Sequence, residues 1–505
     1  MRLQTTALAA TLAVVATMAG AVPALAIKGG IQSPQPYSFM GSLQRPDSPR
    51  ADGHVCGVTL IAPQWAVTAS HCVRNPNQAQ VGTPRDWKVR FGALSTKTGG
   101  ELTEVDKFYR YSNYVHEGDF ALLHLKTPVR AEPAKMPSAT PADHTPARIL
   151  GWGMTCDDRK PECYPEFLRE ADTVVQPDEL CKPAGIHEER EICVGAKDGS
   201  VAPTNMDSGG PALIREGDRW VVVGAVSGGN STQPIVYTDV HWFTGWINGI
   251  TSGTAVPPDS PRPNLEGAVD LGMCAASVVR TPESRPQDPA LMLTNGHCVG
   301  ENQPKPGSAL VDQPADQVVR IGDRDGYAEA TAKANRLLYA TMTGTDIALY
   351  RLDQTYAQLE ADGAKIFQLA TSPARQGDKI DILSGGQGNR FSCVVEAEVP
   401  HLREDGYQQD GALRYAAGCG ASHGSSGSPL VAADGVTVVG VHNTGNDAGE
   451  QCTRNNPCEV AADGTVTVKK GHRYGQRTSM IPACVGAGSV LDLTRPGCTL
   501  TRPAA

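Results

Sequence analysis

Two histidines, two aspartates and two serines recur in one order along the chain. His71, in Thr68-Ala69-Ser70-His71-Cys72, is followed by Asp119, in Asp119-Phe120-Ala121-Leu122-Leu123, and then by Ser208, in Asp207-Ser208-Gly209-Gly210-Pro211. Later, His297, in Thr294-Asn295-Gly296-His297-Cys298, precedes Asp346, in Asp346-Ile347-Ala348-Leu349, and Ser426, in Gly424-Ser425-Ser426-Gly427-Ser428-Pro429. The His-to-Asp separations are 48 and 49 residues, and the Asp-to-Ser separations 89 and 80. A serine hydroxyl is a poor nucleophile at neutral pH unless an imidazole removes its proton, and the imidazole needs a carboxylate to fix its tautomer and steady its charge. The repetition therefore predicts two sites of nucleophilic acyl chemistry, each with His as base, Asp as orienter and Ser as nucleophile. The order argues against hydrolases in which Ser comes first, and the segment before Ser208 lacks the first Gly of their nucleophile elbow.

The elements that hold these residues come from composition and periodicity. With 505 residues the chain exceeds the size at which one hydrophobic core stops growing, so two domains are expected. Hydrophobic residues at 40% and charged residues at 20% suit folded cores, and 54 glycines with 37 prolines favour short strands joined by turns. Runs such as Trp220-Val221-Val222-Val223-Gly224-Ala225-Val226 are short, β-branched and bounded by turn residues, as buried strands are. A brief helix is predicted over Val240 to Ile250, where Trp242, Phe243, Trp246, Ile247 and Ile250 share a stripe, before Thr251-Ser252-Gly253 stops it. Pro257, Pro258, Pro261 and Pro263 then form a stiff, exposed connector.

Met1-Arg2, the apolar stretch from Ala7 to Val22 and Ala24-Leu25-Ala26 read as the charged start, core and cleavage site of an export leader, so a secreted, extracellular protein is expected. No later run approaches the roughly 20 apolar residues a membrane span needs. A net charge of −9 leaves no basic footprint for nucleic acid. The 14 cysteines suit an oxidising compartment, where thiols end as disulfides. Neither a Cys-x-x-Cys pair nor a His pair at ligand spacing occurs, so zinc is not expected.

The three segments around His71, Asp119 and Ser208 resemble the signature segments of the trypsin/chymotrypsin family, over about Ile27 to Thr251. That resemblance implies an all-β fold, a pair of antiparallel Greek-key barrels with the triad between them. It also implies peptide-bond hydrolysis through an acyl-enzyme, without a metal or organic cofactor. Cys56 and Cys72 resemble the family's staple beside the catalytic His, and Cys181 and Cys193 its second loop pair, which leaves Cys156 and Cys163 as a local bridge. Ile27-Lys28-Gly29-Gly30 is similar to the family's activated N-terminus, whose freed amine pairs with the Asp before the nucleophile, here Asp207. Because Ile27 follows the expected leader, removal of the leader is itself expected to free that amine. Met206 and Ser208 stand where the family supplies its oxyanion N–H groups, and Met206 replaces a Gly there, which predicts crowding and reduced activity. Ala202 replaces the Asp that gives trypsins their basic specificity, and Ile235 fills a pocket-wall position usually held by Gly, so a small or apolar P1 residue is expected. Ser227-Gly228-Gly229 is the implied edge for pairing with an extended substrate.

From about Leu265 the same machinery recurs. Cys274 and Cys298 repeat the staple, and Gly424 and Ser426 are the implied oxyanion donors. The Ser426 segment resembles the bacterial glutamyl endopeptidase branch more than trypsin, because Ser425 replaces the Asp. An internal domain has no free α-amine, and an Asp buried there would lack its partner. His442, in Val441-His442-Asn443-Thr444-Gly445, lies where that branch places a pocket His contacting an acidic P1 side chain. The alternative is a His hydrogen-bonded beneath the pocket, since Ala421 replaces that branch's Thr. Cys393 with Cys419, Cys452 with Cys458 and Cys484 with Cys498 are the simplest remaining pairs, with connectivity left open by the sequence. His423 reads as a rim residue, and Asp323-Arg324-Asp325-Gly326 as a hairpin turn, since the remaining ligands of a calcium loop are missing.

The expected organisation is a leader over 1–26, a trypsin-like domain over 27–252, a linker over 253–264 and a second such domain over 265–505. Peptides or proteins are the expected substrates, and protein inhibitors of proteases the further partners. The rival reading keeps the fold and makes one domain a catalytically silent module that binds peptides or a partner.

Overall fold

Alternation of apolar and polar residues makes the strands. Glu101–Arg110 buries Thr103 and Val105 while exposing Leu102 and Glu104, and Arg219–Gly228 is buried without interruption from Val221 to Val226, as a strand covered on both faces is. The computed structural model describes residues 27–113, 115–155, 160–229 and 233–503, and the expected leader and Cys156 lie outside these. The chain divides into two compact units with a boundary between Asp259 and Ser260, the short Arg74–Ala79 stretch grouping with the second.

Each unit contains two closed six-strand rings, and all four follow one path. Taken in chain order, the strands of a ring neighbour one another as first, second, third, sixth, fifth and fourth, with every pair antiparallel. The first ring uses Met40–Gln44, His54–Ala62, Trp65–Thr68, Lys88–Phe91, Glu101–Arg110 and Ala121–Leu125. The second uses Pro146–Gly151, Arg169–Gln176, Glu191–Val194, Pro211–Glu216, Arg219–Gly228 and Ile235–Asp239. In the second unit the third ring runs through Ala268–Asp270, Ala275–Arg280, Pro289–Thr294, Ala309–Gly322, Ala328–Thr341 and Ile347–Thr355. The fourth comprises Lys379–Ser384, Asn389–Glu404, Tyr407–Tyr415, Pro429–Ala432, Thr437–Gly445 and Arg473–Arg477. This is the all-β, paired-barrel architecture that the family resemblance implies. Closure leaves no open sheet edge within a ring, and the inward side chains form the cores. In the second ring Ile149, Val175, Ile192, Val221, Val223 and Tyr237 pack together with the side chain of Ile27, each large aliphatic side chain contributing about 1.5–3 kcal/mol by leaving water.

The predicted helix forms over Thr244–Thr251, starting four residues after the expected Val240. Asp239 Oδ1 accepts the His241 N–H at 2.9 Å and the Thr244 N–H reaches the His241 carbonyl at 3.0 Å, so the residues before Thr244 are held as a turn. Phe243 stacks on Phe120 with centroids 4.4 Å apart, fixing the helix start against the neighbour of Asp119. A second helix, Tyr356–Ala361, begins with a capping box between Thr355 and Gln358. No helix among the described residues is long and apolar enough to cross a membrane.

Disulfides join Cys56 to Cys72, Cys181 to Cys193, Cys274 to Cys298, Cys393 to Cys419, Cys452 to Cys458 and Cys484 to Cys498. Cys163 is also disulfide-bonded. Asp323-Arg324-Asp325-Gly326 is the turn between Ala309–Gly322 and Ala328–Thr341, closed by the Gly326 N–H on the Asp323 carbonyl at 3.0 Å.

Candidate active sites

His71 stands in the short turn Ser70–Val73 that follows strand Trp65–Thr68, and the Cys56–Cys72 bridge ties this turn to the neighbouring strand. Asp119, fully buried, precedes strand Ala121–Leu125. Its Oδ2 lies 2.7 Å from His71 Nδ1, and its Oδ1 accepts the His71 backbone N–H at 2.9 Å. Ser227 Oγ donates to the same Oδ2 at 2.9 Å, so Ser227, read from sequence as a substrate-pairing edge, also orients the carboxylate. With Nδ1–H committed to Asp119, Nε2 is left to accept a proton.

Ser208 is located by its loop. The Gly57 N–H donates to the Ser208 carbonyl at 2.8 Å, and Thr68 Oγ1 donates to the Gly57 carbonyl at 2.9 Å. Gly209 has φ +71°, and a Cβ there would collide with Thr68 Oγ1 and the Gly57 carbonyl, so only glycine lets the loop rest on the residues just before His71. Among the described residues the Ser208 hydroxyl makes no hydrogen bond to His71, so imidazole and carboxylate meet directly while the serine is brought in through its loop. Such contacts commonly tighten when substrate binds. The N–H groups of Asp207, Gly209 and Gly210 are all hydrogen-bonded, whereas those of Met206 and Ser208 have no partner among the described residues.

The second unit repeats the imidazole–carboxylate pair and the contacts that seat the nucleophile loop. His297 Nδ1 lies 2.8 Å from Asp346 Oδ2, and the His297 N–H reaches Oδ1 at 3.1 Å. The Ala275 N–H donates to the Ser426 carbonyl at 2.7 Å, Thr294 Oγ1 donates to the Ala275 carbonyl at 2.7 Å, and Gly427, at φ +81°, has no room for a Cβ against the same two residues. The N–H groups of Gly424 and Ser426 again have no partner among the described residues, while those of Ser425 and Gly427 are bonded. Ser426 Oγ donates to the Asn443 carbonyl at 3.2 Å. Burial works against a charge on His297, but the Asp346 carboxylate outweighs it and holds its pKa above the usual value.

The two loops differ where the sequence differs. Met206 sits at φ +74°, a left-handed conformation that costs a side-chain-bearing residue about 1–2 kcal/mol, while Gly424 takes φ +91° freely. The Met206 carbonyl is anchored by the buried His54, whose Nε2 donates at 3.1 Å while Nδ1 accepts from Ser42 Oγ at 2.7 Å. Asp207 is fully buried and accepts the N–H groups of Gly153 at 2.7 Å and Thr204 at 2.8 Å, with the Ile27 backbone also bonded to it. Burial outweighs these dipoles and pushes its pKa up to about 6. Ser425, in the place of Asp207, satisfies its hydroxyl locally on the Ser422 carbonyl.

The specificity candidates also fall into register. Ala202 and Ile235 are buried in one cluster with Ile27 and Val226, and Ile235 Cδ1 fills the space beside Gly229. Beside Ser426 lies a pocket lined by Ser422, His423, His442, Asn443, Thr444, Gly445 and Arg473. Burial, with Arg473 and two further histidines nearby, pulls the His442 pKa down to about 3, so its ring is neutral. Arg473 was not singled out in the sequence, although it occupies the register position that Ile235 holds in the first unit: Gly228 pairs with Val236 as Thr444 pairs with Tyr474. Glu404 was likewise missed; its Oε1 accepts the Asn455 N–H at 2.6 Å, and its charge bears on Asp346 and His297.

Comparison with known proteins agrees with this geometry. The trypsin family model matches residues 27–247, and the trypsin-like peptidase domain model residues 278–441. Alpha-fibrinogenase albofibrase of Trimeresurus albolabris is 31% identical over 216 residues, spanning 40% of this chain and 79% of that protein. Snake venom serine protease 1 of Craspedocephalus gramineus is 31% identical over 225 residues, spanning 41% of this chain and 82% of that protein. Transmembrane protease serine 5 of Homo sapiens is 31% identical over 216 residues, and the match takes in 39% of this chain but only 46% of that relative's length. The chain belongs to the trypsin-like serine proteases and carries two domains of that family in tandem.

Proposed function

We propose that both units are working endopeptidases of an exported protein, with domains over 27–252 and 265–505. The observation that carries this reading is the duplicated pattern of a buried carboxylate on His Nδ1 beside a nucleophile loop with two unpartnered N–H groups. His71 or His297 accepts the serine proton on Nε2 as Oγ of Ser208 or Ser426 attacks the peptide carbonyl. The N–H groups of Met206 and Ser208, or of Gly424 and Ser426, receive the developing oxyanion. The imidazolium then protonates the leaving amine, and water, activated by the same imidazole, releases the acyl group. In the first unit, leader removal frees the Ile27 amine against Asp207, a reading supported by the full burial of both residues. Ala202 and Ile235 support a small or apolar P1 residue there, and His442 a part in P1 binding at Ser426.

One observation favours a silent second unit, the Ser426 hydroxyl committed to the Asn443 carbonyl. A fluorophosphonate probe separates the readings on the whole chain. Wild type takes two labels, and Ser208→Ala and Ser426→Ala take one each. A single label on wild type that survives Ser426→Ala refutes activity in the second unit.

A further inference from the structure

We infer that Gln387 is a positioning residue of the Ser426 site, whose side-chain amide holds the His423–Gly424 peptide in the orientation that points the Gly424 N–H at the oxyanion. This rests on the reading that the second unit is a hydrolase.

In each unit the turn after the first strand of the second or fourth ring reaches the nucleophile loop. The contact is made by the residue three places beyond that strand, Met154 after Pro146–Gly151 and Gln387 after Lys379–Ser384. The target is the same carbonyl, three residues before the nucleophile. Met154 offers its backbone N–H to the Asn205 carbonyl at 2.7 Å, whereas Gln387 offers Nε2 to the His423 carbonyl at 2.5 Å and to Ser422 Oγ at 3.1 Å. The first unit has a further link there, the Gly153 N–H on Asp207 at 2.7 Å. In the second unit Ser425 replaces that Asp and turns its hydroxyl to the Ser422 carbonyl. The two bonds of Gln387 are then the only hydrogen bonds between turn and loop among the described residues.

A trans peptide sets its carbonyl and N–H in opposite directions, so whatever holds the His423 carbonyl also aims the Gly424 N–H. Carbonyl oxygens accept and never donate, so only the NH2 end of the Gln387 amide can face this one. Gly424, at φ +91° and without a Cβ, can turn the plane either way at little cost, unlike Met206 in the first unit. A flip would swing the N–H away and aim the His423 oxygen at the point where negative charge develops on the substrate. Gln387 Nε2 lies 3.2 Å from where a Cβ on Gly424 would stand, so the amide rests on the glycine it orients.

The test uses the full chain with Ser208→Ala, so that only the Ser426 site turns over, and an internally quenched peptide that this chain cleaves. Gln387→Met keeps the length of the side chain and removes the donor. It lowers kcat at least about tenfold and leaves KM within about twofold, since one oxyanion donor is worth about 10²–10³ in kcat and the loop still samples the productive plane. Gln387→Glu, which sets a carboxylate against the His423 carbonyl, lowers kcat further, and Gln387→Lys, which restores a donor, recovers part of the loss. A peptide aldehyde of the same sequence, whose hemiacetal oxygen occupies the oxyanion position, binds Gln387→Met more weakly by the factor lost in kcat/KM. A purely structural role would instead move KM and the unfolding temperature, which circular dichroism follows in each variant. Unchanged kcat in folded Gln387→Met, or a loss confined to KM with aldehyde binding unmoved, overturns the inference; should that variant not fold, Gln387→Glu is read by the same criteria. A Ser208→Ala chain that cleaves no peptide refutes the hydrolase reading instead. The peptide plane is then read from crystal structures of that chain with and without Gln387→Met, where a flipped His423–Gly424 plane in the variant sustains the inference and an unmoved one overturns it.

Discussion

The buried carboxylate of Asp207 makes the state of the Ile27 nitrogen a measurable stability term. With a peptide bond before Ile27, Asp207 meets only neutral donors, and burial raises its pKa from 3.8 to about 6. A carboxyl with a raised folded pKa binds protons more tightly in the folded state, so stability falls as pH rises from 3.8 towards 6 and the whole penalty is present above that. A shift of about two units corresponds to about 3 kcal/mol. Ile27 adds a second cost, for a β-branched residue at φ +47° is strained by about 1–2 kcal/mol while a carbonyl precedes it. A free Ile27 ammonium supplies the missing charge and abolishes the clash. We therefore expect a chain beginning at Ile27 to be more stable than one with a single Ala added before it, by about 4–5 kcal/mol at pH 7.5. The gap shrinks at pH 4.5, where Asp207 takes up its proton. Urea unfolding in the Ser208→Ala, Ser426→Ala background avoids self-digestion, and tryptophan fluorescence reports the first unit alone, because Trp65, Trp87, Trp152, Trp220, Trp242 and Trp246 all lie within it. Equal midpoints at pH 7.5, or a gap of the same size at pH 4.5, would refute the reasoning.

Three further outcomes are expected. In the Ser426→Ala chain the His297 ring titrates above its ordinary value, and Asp346→Asn lowers it, since burial is then opposed only by the weaker pull of Glu404; NMR of the imidazole protons measures both. Charging His297 stabilises the fold at low pH, and that contribution is lost as pH rises through its folded pKa. Gly427→Ala destabilises the second unit by at least about 3 kcal/mol, because the new Cβ meets the Ala275 carbonyl and Thr294 Oγ1 at φ +81°; thermal unfolding followed by circular dichroism shows it. Met206→Gly leaves stability within about 1 kcal/mol, relief of the left-handed strain offsetting the entropy of glycine, and raises kcat of the Ser208 site several-fold; unchanged kcat would show that the side chain does not crowd the oxyanion site.

The sequence by itself determined the strand-rich class, through β-branched runs between glycines and prolines, and it determined which residue types recur in order around His71, Asp119 and Ser208 and again around His297, Asp346 and Ser426. Those signals are local, carried by short segments. It also contained, unread, the Thr355-Tyr356-Ala357-Gln358 capping box that starts a helix. The start of the helix at Thr244 was decided by Asp239 and Phe120, which the stripe of Trp242 and Trp246 does not encode. Tertiary structure alone decided what depends on long-range closure. The ring order brings Gly209 onto Thr68 and Gly427 onto Thr294, and buries Asp207 without a charged partner. It aligns Arg473 with Ile235 across two halves whose sequences scarcely match there. A side chain's chemistry is written at its own position, but its role comes from neighbours far along the chain, which meet only when the barrels close.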